Sequence, residues 1–224
     1  MTDRKHPAPL GHDGATASLR AQILATEHWS LLATRSMTWN EIFSRTSIFL
    51  TVLSATVVAL SLVAVHSSGF GHGFRVFALS VLPIALLVGL ATYIRLIEAD
   101  IEDVWLVAGM NRLRQAYLEL APDLDPYFVT SHHDDELGVL QTYSFRRQVG
   151  VIHLLSGSPV IVGIIDTVLS AVLAAIACQA VGAPGEAQVA AGLLAAVVTA
   201  AMLAALGYRR LSRLRRDYRP RFPS

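Results

Sequence analysis

Residues 159–181 read PVIVGIIDTVLSAVLAAIACQAV. Twenty-three mostly apolar residues are enough to cross a bilayer, since a crossing takes about 20 residues at roughly 1.5 Å of rise each. One acid, Asp166, stands inside the run. Three more runs of similar length flank it in the chain: Thr46 to Val65, Val76 to Ile94 and Ala187 to Tyr208. The fold class follows from these four runs. It is an all-α integral membrane protein with four transmembrane helices arranged as two hairpins and a helical layer outside the membrane.

Composition agrees. Of the 224 residues, 53% are hydrophobic and only 16% charged, against about 25% charged in soluble domains. The apolar residues are blocked into runs rather than spread at helical or strand period, which separates a membrane protein from a soluble one with a large core. Net charge is +1, so the whole-chain balance gives no footprint for nucleic acid, and none is expected as a partner. The single cysteine, Cys178, lies inside the third run and can form no internal disulfide. Residues 1–18 are polar and contain Pro and Gly, unlike a cleaved signal peptide. Lys5 is the only lysine among 18 basic residues, a bias that points to a GC-rich, bacterial coding genome.

Orientation comes from the basic residues between the runs. Seventeen fall in the N-terminal segment, the central segment and the tail, and one, Arg75, falls in the other connections. By the positive-inside rule, both termini and the central segment belong on the cytoplasmic side of the plasma (inner) membrane.

The expected organisation is a disordered N-terminus (1–15), a cytoplasmic or interfacial helix (16–45), a first hairpin (46–94), a cytoplasmic helical segment (95–158), a second hairpin (159–208) and a basic tail (209–224). Within the central segment, residues 95–120 read as a stalk continuing the second crossing, with Ile97, Ile101, Val104 and Ala108 on one stripe. That stalk is expected to pack on the N-terminal helix. The Ser-Gly-Ser-Pro run at 156–159 marks a turn into the membrane, and residues 149–155 are expected to lie along the interface.

Several residues are candidates for function. Asp166 is the leading one, because an acid near that depth costs about 2–3 kcal/mol on insertion scales. Ser170, one turn on, is expected to share its hydrogen bonds. The hydroxyl row Ser47, Thr51 and Ser54 (with Ser61) would bond to it from the first crossing, and Arg95 is the expected charged partner. Helix packing, within or between chains, is expected at Gly163 on the third run and at Gly192, Ala196 and Ala200 on the fourth, where small residues at four-residue steps permit close approach. In the tail, Arg209, Arg210, Arg213, Arg215 and Arg216 are expected to meet anionic lipid headgroups at about 1 kcal/mol each. Docking of this basic tail on the acidic central segment is the other reading.

The run His132-His133-Asp134-Asp135-Glu136 is rich in metal-ligand types. Adjacent helical side chains point about 100° apart, so five in a row do not converge. Ser131 and Asp134 instead resemble a capping box at a helix start. No phosphate loop, nucleophile elbow, zinc-protease or dinucleotide motif occurs. The chain is therefore expected not to be an enzyme and to carry no cofactor or metal.

The stretches HWSLLATRSMTWNEIFSR (28–45), VAGMNRLRQAYLELAPDLDPYFVT (107–130) and HHDDE (132–136) resemble uncharacterised multi-pass membrane proteins of actinobacteria. That resemblance covers most of residues 20–145. It implies a bacterial inner-membrane protein and supplies no activity. The layout is also similar to SLATT-type effectors, which join a membrane hairpin to cytoplasmic helices and are proposed to form pores; the second hairpin, 159–208, departs from that layout. Two functional readings follow: a structural or regulatory protein that forms homo-oligomers in the lipid bilayer, or a channel, pore-forming effector or small transporter using Asp166.

Overall fold

The computed structural model describes residues 12–66, 69–144 and 158–224. Of the described residues, 88% are helical and none is in a strand. Among the described residues, five α-helices follow in order: α1 (His12–His66), α2 (His72–Leu120), α3 (Glu136–Ser144), α4 (Ser158–Ala180) and α5 (Gly185–Asp217), with a 3-10 turn, Pro122–Tyr127, before α3. Among the described residues, α1, α2, α4 and α5 are long and apolar enough to cross a membrane.

Two of the expected segments run into their neighbours without a break in the helix. No break separates residues 16–45 from the first crossing, because α1 is a single helix of 55 residues. The cause is local: between Gly14 and Gly69 the chain has neither glycine nor proline, so nothing interrupts the backbone ladder. The helix also begins at His12, within the N-terminal stretch expected to be disordered. Likewise α5 runs past Tyr208 to Asp217 and carries the tail arginines with it. The stalk is as expected, with α2 unbroken from His72 to Leu120 through Pro83. Residues 1–11, the interfacial stretch 149–155, Arg146 and Arg147 lie outside the described residues.

The chain divides into two compact units. One comprises Thr38–Glu102 and Val149–Tyr218 and holds the four apolar runs. Its core is built by one face of each helix. On α1, Ile42, Phe49 and Thr56 are buried at seven-residue steps. On α2 the buried line is Phe74, Ala78, Leu82, Ala85, Tyr93, Leu96 and Ala99, with the small residues allowing near helices. Helices α4 and α5 form a hairpin whose turn places Gly182 at φ +79°, a left-handed conformation suited to glycine. The Tyr93 hydroxyl donates to the Leu203 carbonyl at 2.9 Å, a buried bond between α2 and α5.

The other unit comprises Met1–Met37, Asp103–Gln148 and Arg219–Ser224. Its centre is Val107, Ala108, Met110 and Val139, buried beside the polar Asp103, Asn111 and Asp134. The N-terminal part of α1 packs on the stalk, as expected. Leu31 abuts Gly109, and the His28 ring stacks on Tyr117 with centroids 6.0 Å apart. Arg35 forms a two-pronged ion pair with Asp103, at 2.7 and 3.1 Å, and Asp103 also accepts the Tyr143 hydroxyl at 2.5 Å.

Candidate functional site

Two loci stand out, one in each unit. In the membrane unit, Asp166 on α4 is completely buried, and both of its carboxyl oxygens lack a hydrogen-bond partner. Gly89 of α2 makes the room for it. A methyl group at position 89 would fall on Asp166 Oδ1 and within 2.8 Å of the Phe49 ring.

The side chains expected around Asp166 are engaged elsewhere. Ser170 bonds within α4 and to α5 instead: its Oγ donates to the Thr167 carbonyl at 3.0 Å and accepts from Thr199 Oγ1 at 2.8 Å. Ser47, Thr51, Ser54 and Ser61 are exposed. Thr51 donates to the Ser47 carbonyl and Ser61 to that of Val57, each 2.8 Å away on its own helix. The step of α1 that buries Phe49 and Thr56 turns this hydroxyl row outward. Arg95 points to carboxylates near the run ends, reaching Glu41 at 3.0 Å and Glu102 at 2.9 Å. Hydrogen bonds from Arg95 and then Arg45 hold the Glu41 carboxyl down at about 2, and its two acids push the Arg95 guanidinium up.

The packing residues separate into two groups. Gly163 is buried against the Tyr93 ring, which a methyl group would approach to 3.1 Å. Gly192 is buried against the Ala171 carbonyl, at the same 3.1 Å. Both glycines thus serve contacts inside the chain. Ala196 is half-buried and Ala200 is exposed; the buried line on α5 passes through Thr199 and Leu203 instead. Among the tail arginines, Arg209, Arg213, Arg215 and Arg216 are exposed on α5, while Arg210 is half-buried, 3.5 Å from Glu98.

The second locus lies in the other unit, at the acidic run. The capping box is corrected. Ser131 accepts the His133 N–H at 3.0 Å, whereas Asp135 caps α3 by accepting the Gly138 N–H at 2.9 Å. Asp134 is fully buried and faces the segment Arg219–Ser224. Its carboxylate accepts the Arg221 N–H at 2.9 and 3.0 Å and the Phe222 N–H at 2.7 Å. Its own N–H donates to the Phe222 carbonyl at 3.2 Å. Arg112 pairs with Asp134 through Nε at 2.5 Å and reaches the Arg219 carbonyl with Nη2 at 3.4 Å. Ser224 donates its N–H and its Oγ–H to Asp135, at 3.1 and 2.8 Å. Burial raises the Asp134 carboxyl, but the bonds from Arg221, Arg112 and Phe222 outweigh it and leave the group below its usual range. Among the described residues, no three His, Cys, Asp or Glu side chains are grouped to hold a metal ion.

Sequence reasoning missed Gly89, Thr199 and Tyr93. A signal for Gly89 exists. It sits five residues from the C-terminal end of its run, and Asp166 seven from the start of its own, so the two lie at like depth, roughly 8 to 10 Å in.

No family model matches the chain, and neither a curated protein nor a solved structure does.

Proposed function

We propose that this chain is a self-associating structural or regulatory protein of the bacterial inner membrane, without enzymatic activity, and with both termini cytoplasmic. The observation that carries the reading is the outward face of α1. Ser47, Thr51, Ser54 and Ser61 are exposed at steps of four, three and seven residues. Small hydroxyl side chains let another helix approach closely and offer hydrogen bonds across the contact, which is how helices associate where lipid removes the hydrophobic drive. Exposed Ala200 on α5 offers a second small surface. The exposed arginines at 209, 213, 215 and 216 would rest on anionic headgroups, and the excess of arginine on the segments outside the runs supports the proposed orientation.

Disulfide trapping tests this. In a Cys178→Ser background, Ser54→Cys is expected to cross-link between copies in native membranes, and Leu87→Cys, also exposed but on α2, is not. Absence of cross-links from positions 47, 54 and 61 alike would remove the reading.

A second reading rests on Asp166. A buried carboxyl with two unpartnered oxygens inside an apolar run suits a channel or small transporter that moves a proton or cation. Purified protein in liposomes would then pass protons or ions under a gradient, with Asp166→Asn altering the flux. Tight vesicles under every gradient tried would eliminate it.

A further inference from the structure

We propose that Arg112, Asp134 and Asp135 form a peptide-capture notch, that this notch reads an extended main chain, and that its resident ligand is the chain's own segment Arg219–Ser224. The argument starts from what the notch touches. It meets the carbonyl of Arg219, the N–H of Arg221, the N–H and carbonyl of Phe222 and the N–H of Ser224. Only one of these bonds is joined by a side chain, the Ser224 hydroxyl. The guanidinium groups of Arg219 and Arg221 are not what the acids hold, and both residues are exposed. At Asp134 and Asp135, attraction to the guanidinium groups of the segment is therefore not the basis of recognition.

The ligand's sequence matches this readout position by position. From 220 to 224 the chain reads PRFPS. Pro220 and Pro223 have no N–H to give, and the three residues that have one, Arg221, Phe222 and Ser224, all donate it into the notch. The prolines also fix φ near −65° and bias their neighbours to extended backbone, so little conformational freedom remains to be lost on docking. On the receptor side, Asp134 is fully buried. A carboxylate that accepts main-chain N–H groups makes the stronger, charge-assisted kind of hydrogen bond, and Arg112 balances its charge at 2.5 Å. The class of ligand is thus a short, proline-punctuated extended peptide with free N–H groups at alternate and adjacent positions, chosen with little regard to side-chain charge.

The test places a nitroxide at Ser224→Cys in a Cys178→Ser background, in the full-length protein in lipid nanodiscs. The label is expected to be immobilised. Arg221→Pro removes one N–H from the ligand without touching the notch, and should raise the mobile fraction about tenfold or more, the scale of losing a hydrogen bond to a charged group. Arg221→Ala, which keeps the N–H and removes the charge, should leave the label immobile. Asp134→Asn should free it from the receptor side. A mobile label in the parent protein, or equal release by Arg221→Ala and Arg221→Pro, would overturn main-chain capture. Mixing labelled Asp134→Asn protein with excess unlabelled parent settles the occupant. Continued mobility supports capture of the chain's own segment, and renewed immobilisation would show that a second copy supplies the notch.

Discussion

Asp166 and Gly89 share a space that holds the carboxyl only because position 89 has no side chain. Gly89→Ala is therefore expected to destabilise the membrane unit by about 1–3 kcal/mol, the cost of overfilling a packed core. In an Asp166→Ala background the same change should cost less, with a residue left from Phe49, which also faces the added methyl. Unfolding of the four variants in mild detergent, compared as a double-mutant cycle, reads that coupling directly. An equal cost in both backgrounds would mean that the acid and the glycine do not meet. Asp134 makes a contrasting case, a buried carboxylate with a full set of donors. Its folded value lies below the ordinary one, so its stabilisation is present above the unfolded carboxyl's value and is lost as pH falls through the folded one. The nitroxide at position 224 should stay immobile from pH 7 to 5 and loosen only below about pH 4.

At the scale of the helix, small residues divide by what they face. Gly163 and Gly192 have spent their close approach on Tyr93 and on the Ala171 carbonyl. Gly192→Leu is therefore expected to unfold the α4–α5 hairpin rather than only to weaken self-association, seen as loss of the cooperative melt together with aggregation. Ala200→Leu, on an exposed face, should leave that melt unchanged within about 0.5 kcal/mol. The four spanning helices were legible because run length and blocking are properties of composition along one dimension. The stalk was legible because its apolar stripe continues past Ile94. The uninterrupted length of α1 needed only the absence of Gly and Pro between positions 14 and 69, which charge at Arg35, Glu41 and Arg45 obscured. What could not be read is which face of each helix turns inward. The hydroxyl row and the buried line at Ile42, Phe49 and Thr56 share one helix and one period, and only the neighbouring helices choose between them. The same holds for Asp166: the acid announced itself, but Ser170 and Arg95 have better partners in Thr199, Glu41 and Glu102.

For the molecule as a whole, the distribution of arginine makes a prediction that no single residue makes. With Cys178 replaced by Ser, His72→Cys should react with a membrane-impermeant maleimide added outside intact cells. Ser212→Cys should react only after the cells are opened. The reverse pattern would invert the proposed orientation.

The notch around Asp134 also bears on how the chain is made. Its receptor residues, Arg112, Asp134 and Asp135, leave the ribosome before the second pair of apolar helices exists, whereas Arg221 and Phe222 emerge 87 and 88 residues after Asp134. Throughout synthesis of α4 and α5, that carboxylate lacks the main-chain donors it ends with, and the unit around it stays unfinished. Closure of the segment on Asp134 thus marks that both hairpins have been synthesised. A chain stalled before Arg221 would hold Asp134 on Arg112 alone among these partners, without the main-chain donors that complete the site.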